Sequence, residues 1–182
     1  MITHLSYPDG FSINDHINFK FGSVQYASFD SIVDMIYTIG QSALIAKRDL
    51  KSAYRSLPIR TEDFQLLGIK VDESYYIDKS LPMGLSQSAN LFEKFSTFLH
   101  DLVVKRAGAD TLAHVLNDFL FAGKQKSDTC FSLVSCMEQT CMELGIPIAK
   151  EKYVNPTTVM IFLGLEMNTQ DMSVRFPYHR IQ

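Results

Sequence analysis

The most constraining stretch of the sequence is residues 111–123, TLAHVLNDFLFAG, in which one polar pair interrupts two apolar runs. Residues 112–116 and 119–121 are rich in strand-forming side chains, and Asn117-Asp118 between them is typical of a tight turn. The pattern predicts a β-hairpin that carries a carboxylate at its turn. Taken alone, the pair also has an ordinary explanation, because Asn and Asp are common turn residues.

A second carboxylate, Asp49, stands in similar surroundings upstream. It follows the apolar run of residues 43–46, and Tyr54 and a Leu57-Pro58-Ile59 stop come after it. This spacing predicts an acidic side chain at a strand end, with an aromatic wall beside it. A third block, residues 81–92 (LPMGLSQSANLF), places Gly84 and several small residues at the opening of a predicted helix.

Together these blocks resemble the palm of a reverse transcriptase. Residues 49–59 are similar to the first catalytic motif of that family, residues 81–92 to its substrate-binding motif, and residues 115–118 (VLND) to its Tyr-x-Asp-Asp hairpin. Residues 145–152 resemble the lysine-bearing motif and residues 162–166 the primer grip. Residues 5–14 are similar to the fingers of retrotransposon enzymes, most closely those of the tyrosine-recombinase (DIRS-like) type.

The resemblance implies an RNA-directed DNA polymerase, a nucleotidyltransferase that uses Mg²⁺ in a two-metal site. The catalytic positions that it implies are Asp49, Asn117 and Asp118, and the metal-binding positions are Asp49, Asp118 and Leu50. The implied nucleotide-binding positions are Tyr54 (a steric gate against ribose), Met83, Gly84, Ser88 and Lys152, with Lys150 as the alternative lysine. The implied primer-binding positions are Phe162, Leu163 and Gly164. Packing alternatives stay open: Met83 is equally typical of a residue that fills a gap in the core, and Phe-Leu-Gly in a strand pair is equally typical of a core with a bulge.

The sequence departs from the family at its centre. Asn117 stands where the family has the first aspartate of the pair, and Val115 stands where it has tyrosine. An amide oxygen brings no charge, whereas a hard cation crowded by phosphates depends on anionic ligands. We therefore expect one degraded metal ligand and catalysis that is severely weakened or absent. The alternative is a non-catalytic remnant, or a co-opted nucleic-acid-binding or protein-binding module.

The predicted fold is α+β: a polymerase palm with a mainly antiparallel sheet packed on helices, partial fingers and no thumb. One reverse-transcriptase-like domain is expected over residues 1–182, with fingers at 1–40 and 60–80 and palm at 41–59 and 81–182. Missing fingers, thumb or ribonuclease H segments are expected on a longer chain. Helices are predicted at residues 29–39, 86–107 and 127–144, and hairpins at 64–79 and 159–176, the latter completing the sheet.

Charge and composition narrow the partners. The net charge of −3 argues against a free-standing nucleic-acid binder, although five basic residues crowd the Asp49 block. These residues suit a triphosphate or template backbone, and a solvated face explains them equally well: Lys47, Arg48, Lys51, Arg55 and Arg60. We expect template-primer of RNA or DNA and dNTP as partners of an active enzyme. No run approaches the roughly 20 apolar residues of a membrane span, and the three cysteines lack metal-site spacing, so we expect a soluble, intracellular protein with reduced thiols and no membrane partner.

Overall fold

The computed structural model describes residues 4–177. Within this range there are three α-helices: α1 (Phe29–Ile39), α2 (Ser88–Ala107) and α3 (Thr129–Leu144). The same range contains nine strands: β1 (Leu44–Asp49), β2 (Gly68–Val71), β3 (Ser74–Ile77), β4 (Leu112–Val115), β5 (Asp118–Gly123), β6 (Val154–Thr157), β7 (Val159–Phe162), β8 (Leu165–Asn168) and β9 (Ser173–Arg175). All strand pairs between them are antiparallel, which confirms the predicted α+β class.

The chain divides into two compact units. The first unit comprises Met1–Gln25 and Ser52–Phe95, and the second comprises Tyr26–Lys51 and Ser96–Gln182. The fingers and palm ranges given above rest on the family resemblance and remain a prediction. Their outermost residues, 1–3 and 178–182, lie outside the described part of the chain.

The second unit is built on a four-stranded sheet with the order β4-β5-β1-β6. Because side chains alternate along a strand, Ile45 on β1 shares one face with Leu120 and Ala122 on β5. That face is covered by apolar side chains from α1, β7 and β8. The buried members of this core are Ile32, Ile36, Ile45, Leu120, Ala122, Met160, Phe162 and Met167.

The opposite face of the sheet is covered by α3. Phe119 and Phe121 point to this side and are fully buried, as are Leu133 and Met137 on the helix. The three cysteines all lie on α3 as free thiols, as predicted. Burial raises the pKa of Cys130 to about 11 and that of Cys141 to about 12, so both thiols stay protonated at neutral pH.

Helix α1 forms where the sequence predicts it, because its end signals are local. The Ser28 hydroxyl accepts a hydrogen bond from the Ser31 amide at 3.0 Å, and Gly40 ends the helix with a φ of 106°. Helices α2 and α3 each begin two residues later than predicted. On α2, Phe92, Leu99 and Val103 are buried, whereas Phe98 is 55% exposed.

Both outer hairpins differ from the prediction. Residues 64–67 belong to a 3-10 helix, Thr61–Leu67, so only residues 68–71 and 74–77 form the first hairpin. Strands β7, β8 and β9 form a separate three-stranded sheet and do not complete the larger one. Within the predicted hairpin at 159–176, residues 159–168 form two strands, because Leu163 and Gly164 both take positive φ, 48° and 86°, which closes a tight turn.

We expect Gly123→Ala to lower the free energy of unfolding by about 1–3 kcal/mol, the usual cost of overpacking. A Cβ at position 123 would lie 2.6 Å from the Cys130 amide nitrogen at the start of α3. The matched control is Gly68→Ala, because a Cβ there meets no atom within 4 Å. Urea unfolding of both variants measures the difference, and equal losses would contradict this packing argument.

Candidate functional site

The hairpin of β4 and β5 turns one residue earlier than the sequence predicts. Val115 pairs with Asp118, so the two-residue turn consists of Leu116 and Asn117, and Asp118 is the first residue of β5. Leu116 takes the positive φ of the turn, 53°. The carbonyl of Asn117 accepts a hydrogen bond from the Leu50 amide at 2.9 Å, which ties the turn to the end of β1.

The two predicted catalytic carboxylates meet at the end of one strand pair. Asp49 is the last residue of β1, and in the antiparallel register it lies opposite Asp118. Opposed residues project to the same face with Cβ atoms about 5 Å apart. The structure therefore brings Asp49, Asp118 and the Asn117 turn together, and Asp49 is only 3% exposed.

Each carboxylate has a lysine ammonium beside it. Lys152 donates to Asp49 Oδ2 at 3.0 Å, so of the two candidate lysines it is Lys152 that reaches the carboxylates. This hydrogen bond and the charge of Asp49 raise the pKa of the Lys152 ammonium above its usual range. Lys47 Nζ lies 2.6 Å from Asp118 Oδ1, a close ion pair to a buried oxygen that accepts no regular hydrogen bond.

Sequence reasoning placed Lys47 in a general basic cluster and missed its role beside Asp118. The signal was available, because Lys47 and Asp49 are two residues apart on a strand and so share a face. The prediction of an open basic patch is wrong for Arg48, which is 3% exposed on the other face of the sheet. Its guanidinium donates to Glu138 at 2.6 Å and to the Val154 carbonyl at 2.9 Å, and it lies 4.0 Å from the ring centroid of Tyr153.

The oxygen donors of the site suit a hard cation in type. Asp49 and Asp118 offer carboxylates, Asn117 an amide oxygen, and Leu50 only its main-chain carbonyl, and oxygen ligands are what Mg²⁺ prefers. The structure brings two carboxylates together here, one fewer than the family resemblance predicts. In the part of the chain that the structure describes, no group of three or more His, Cys, Asp or Glu side chains is arranged to hold a metal ion.

The predicted nucleotide-binding residues other than Lys152 belong to the first unit. Tyr54 lies in a 3-10 helix, Ala53–Ser56, and its ring meets that of Phe92 edge-on at 5.4 Å between centroids. Ser88 is buried and donates to the Pro82 carbonyl at 2.6 Å, so its hydroxyl holds the loop that leads into α2.

Gly84 and Met83 lie in the same loop of the first unit. Gly84 takes a φ of 114°, a backbone conformation that favours glycine, and Met83 is 39% exposed. Asn14, which sequence reasoning did not select, bonds this loop twice: its amide donates to the Gly84 carbonyl and accepts from the Ser86 amide. Of the five basic residues that crowd the Asp49 block, Arg55 and Arg60 form ion pairs with Asp78 and Asp63 in this unit.

The three predicted primer-binding residues form the β7–β8 turn. Phe162 is fully buried in the core of the second unit, and Leu163 at the turn is 42% exposed. The packing explanation holds for Phe162, with a two-residue turn in place of the bulge that the sequence suggested. Of the three predicted primer-binding residues, only the turn residues Leu163 and Gly164 are accessible to solvent.

Two histidines, one on α2 and one on β4, contact each other in the second unit. The Nδ1 atoms of His100 on α2 and His114 on β4 are 3.0 Å apart, and His114 stacks on Phe119. Burial, and next the nearby His114, lower the pKa of His100 below its ordinary value of 6.5, while Asp101 and Asp110 oppose the shift. His100 is thus neutral in the folded protein at neutral pH.

Comparison with known proteins gives a family and a fold. The family whose sequence profile matches is described as reverse transcriptase (RNA-dependent DNA polymerase), and the match covers residues 7–167. No curated protein matches the sequence. Transmembrane helices are not found either: none of the helices between residues 4 and 177 combines the length and apolarity needed to cross a bilayer.

Solved structures of foamy viral protease-reverse transcriptase are similar to this chain. One in complex with double-stranded DNA matches with a TM-score of 0.73 and 15% identity over 92% of this chain and 27% of its own. Another with an RNA/DNA hybrid matches with a TM-score of 0.68 and 16% identity over 85% of this chain and 20% of its own. At such identity the likeness shows the fold alone, and it confirms the predicted reverse-transcriptase-like fold. The chain spans less than a third of the length of these relatives.

We expect the stability of the folded chain to fall as pH drops below about 6.5, because folding holds His100 neutral. A lowered folded-state pKa means that the unfolded chain binds more protons in this range, so acid favours unfolding. His100→Gln should flatten the dependence between about pH 7.5 and about pH 5. Thermal unfolding across this range measures it, with the exposed His16→Gln as control. An unchanged slope in His100→Gln would contradict the assignment.

Proposed function

Because the chain belongs to the reverse transcriptase (RNA-dependent DNA polymerase) family, we propose that it is the polymerase domain of a retrotransposon enzyme with weakened or lost catalysis. One observation carries the proposal. Asp49 and Asp118 are register partners at the end of an antiparallel strand pair, beside a turn in which Asn117 stands where the family resemblance implies a carboxylate. The paired carboxylates support a site for nucleotidyl transfer, and the missing charge supports its impairment.

The substrates of this proposal are a template-primer of RNA or DNA and a dNTP. Support comes from the related foamy viral enzymes, whose structures contain double-stranded DNA and an RNA/DNA hybrid. Tyr54 is proposed as the gate that excludes a ribose 2′-hydroxyl, with Met83, Gly84 and Ser88 beside the nucleotide. Leu163 and Gly164, at the β7–β8 turn, are proposed to face the primer end, and Phe162 supports them from the core.

The reaction would be in-line nucleotidyl transfer. A primer 3′-hydroxyl attacks the α-phosphate of the dNTP, a new P–O bond forms, and pyrophosphate leaves. Mg²⁺ held by Asp49 and Asp118, with oxygens of Asn117 and Leu50 beside it, would supply positive charge to the phosphates. Lys152, whose ammonium stays protonated, would stand near the pyrophosphate leaving group and offset its negative charge.

Asn117 weakens this site through charge. Replacing a carboxylate with an amide keeps an oxygen donor but removes one negative charge, while the repulsion from substrate phosphates is unchanged. The cation then binds less tightly in the presence of dNTP. Catalysis falls even though the fold and the other carboxylates remain.

The origin proposed is a tyrosine-recombinase (DIRS-like) retrotransposon, supported by residues 5–14 and by the order of the motifs. A longer chain with further fingers, thumb and ribonuclease H segments is part of the proposal, since this chain covers less than a third of the length of the similar structures. An intracellular, reducing location is proposed from the three free cysteines, two of which have raised pKa values.

A non-catalytic binding module is the second candidate function. The observation that favours it is the pairing of both carboxylates with lysines, which leaves no net charge in that group of four side chains. Such a domain would keep the family fold for contacts with nucleic acid or protein. It differs from the first candidate in one measurable property: restoring a carboxylate at position 117 would not restore nucleotidyl transfer.

We expect Asn117→Asp to raise the rate of primer extension by about 100-fold or more, because it restores an anionic ligand for the cation that offsets the charge of the phosphates. The assay uses an RNA template, a DNA primer, dNTP and Mg²⁺ with the 182-residue chain. Asn18→Asp is the control, since it adds the same charge at an exposed helix cap in the first unit.

Three results of this assay can be told apart. Extension by Asn117→Asp alone supports the proposal. Equal extension by the unaltered chain contradicts the claim of impairment. Extension by none of the three proteins favours the non-catalytic binding module.

A further inference from the structure

The paired carboxylates of the second unit already have internal cations. Lys47 Nζ lies 2.6 Å from Asp118 Oδ1, and Lys152 Nζ lies 3.0 Å from Asp49 Oδ2. Two negative and two positive formal charges therefore cancel within four side chains. Had position 117 carried a carboxylate, the same group would have kept one uncompensated negative charge.

The two lysines are held very differently. The Lys47 side chain is 18% exposed, starts from the middle of β1, and brings its ammonium within 5.8 Å of the ring centroid of the buried Phe162. It is a fixed cation on the face of the sheet. Lys152 is 55% exposed and belongs to a short 3-10 helix, Lys150–Lys152, so solvent competes for its ammonium.

The position of Lys47 follows from the strand and not from a flexible loop. Lys47 lies opposite Leu120 on β5, and Asp118 is the next residue of β5 on the same face. Diagonal neighbours across an antiparallel pair are within reach of a long side chain. The neighbouring cation, Arg48, points to the other face and is bound to Glu138, so it cannot take over this role.

We propose that Lys47 is a built-in counter-ion that takes the place of a divalent cation at Asp118, so that the carboxylate pair is stable without metal. A metal ion can bind the pair only by displacing the Lys47 ammonium. This inference rests on the proposed function in treating Asp49 and Asp118 as the cation site. Asn117 and Lys47 act in the same direction, since one removes an anionic ligand and the other neutralises a remaining one.

The test is Mn²⁺ binding by the 182-residue chain, followed by the electron paramagnetic resonance signal of free Mn²⁺. Lys47→Met keeps the apolar stem and removes the charge, and we expect it to tighten Mn²⁺ binding by about tenfold or more. Without metal, the same variant should unfold at a lower temperature, because Asp49 and Asp118 then repel each other. Added Mn²⁺ should restore part of that loss.

Lys150→Met is the matched control, an exposed lysine on the 3-10 helix that carries Lys152, and it should bind Mn²⁺ as the unaltered chain does. Equal Mn²⁺ affinity in Lys47→Met and the unaltered chain overturns the proposal. If Lys47→Met fails to fold, Lys47→Gln decides, because it keeps a polar side chain beside Asp118 and removes the charge. Tighter Mn²⁺ binding by Lys47→Gln then supports the counter-ion, and unchanged binding overturns the proposal.

Primer extension separates this inference from the proposed function. If Lys47→Met binds Mn²⁺ more tightly but no variant extends a primer, the counter-ion is supported and the polymerase function is contradicted. If Asn117→Asp extends a primer while Lys47→Met leaves the Mn²⁺ affinity unchanged, the polymerase function is supported and the counter-ion is contradicted.

Discussion

The register of β1 against β5 is the constraint on which the site depends. It sets Asp49 directly opposite Asp118, and like charges in that position destabilise a strand pair unless cations offset them. The chain supplies those cations from two sources, Lys47 on the same strand and Lys152 on a 3-10 helix that follows α3. These two lysines allow the second unit to hold two carboxylates side by side at this strand end.

The other face of the sheet holds the same strand in place by a different interaction. Arg48 is buried there, and its guanidinium joins Glu138 on α3 to the Val154 carbonyl on β6 while it stacks on Tyr153. Successive residues of β1 thus carry a buried cation on one face and the carboxylate pair on the other. A buried guanidinium with several hydrogen-bond partners permits few alternative registers, so it fixes where Asp49 must lie.

Much of this fold could be predicted from the sequence because its signals are local. Helix α1 has a serine cap and a glycine end, and the β4–β5 hairpin has two strand-forming runs around a polar pair. The exact turn could not be predicted, since the closing pair depends on which residue takes positive φ, and here that residue is Leu116. The ion partners of Lys47, Lys152 and Arg48 depend on contacts between distant segments, which no local pattern reveals.

The most direct test of this account is a crystal structure of the Asn117→Asp variant soaked with Mn²⁺, with the metal located by anomalous scattering. We predict a Mn²⁺ peak between the carboxylates of Asp49 and Asp118, with the Lys47 ammonium displaced from its 2.6 Å contact with Asp118. A Mn²⁺ ion bound elsewhere, or bound at the pair with Lys47 still in contact, would contradict it.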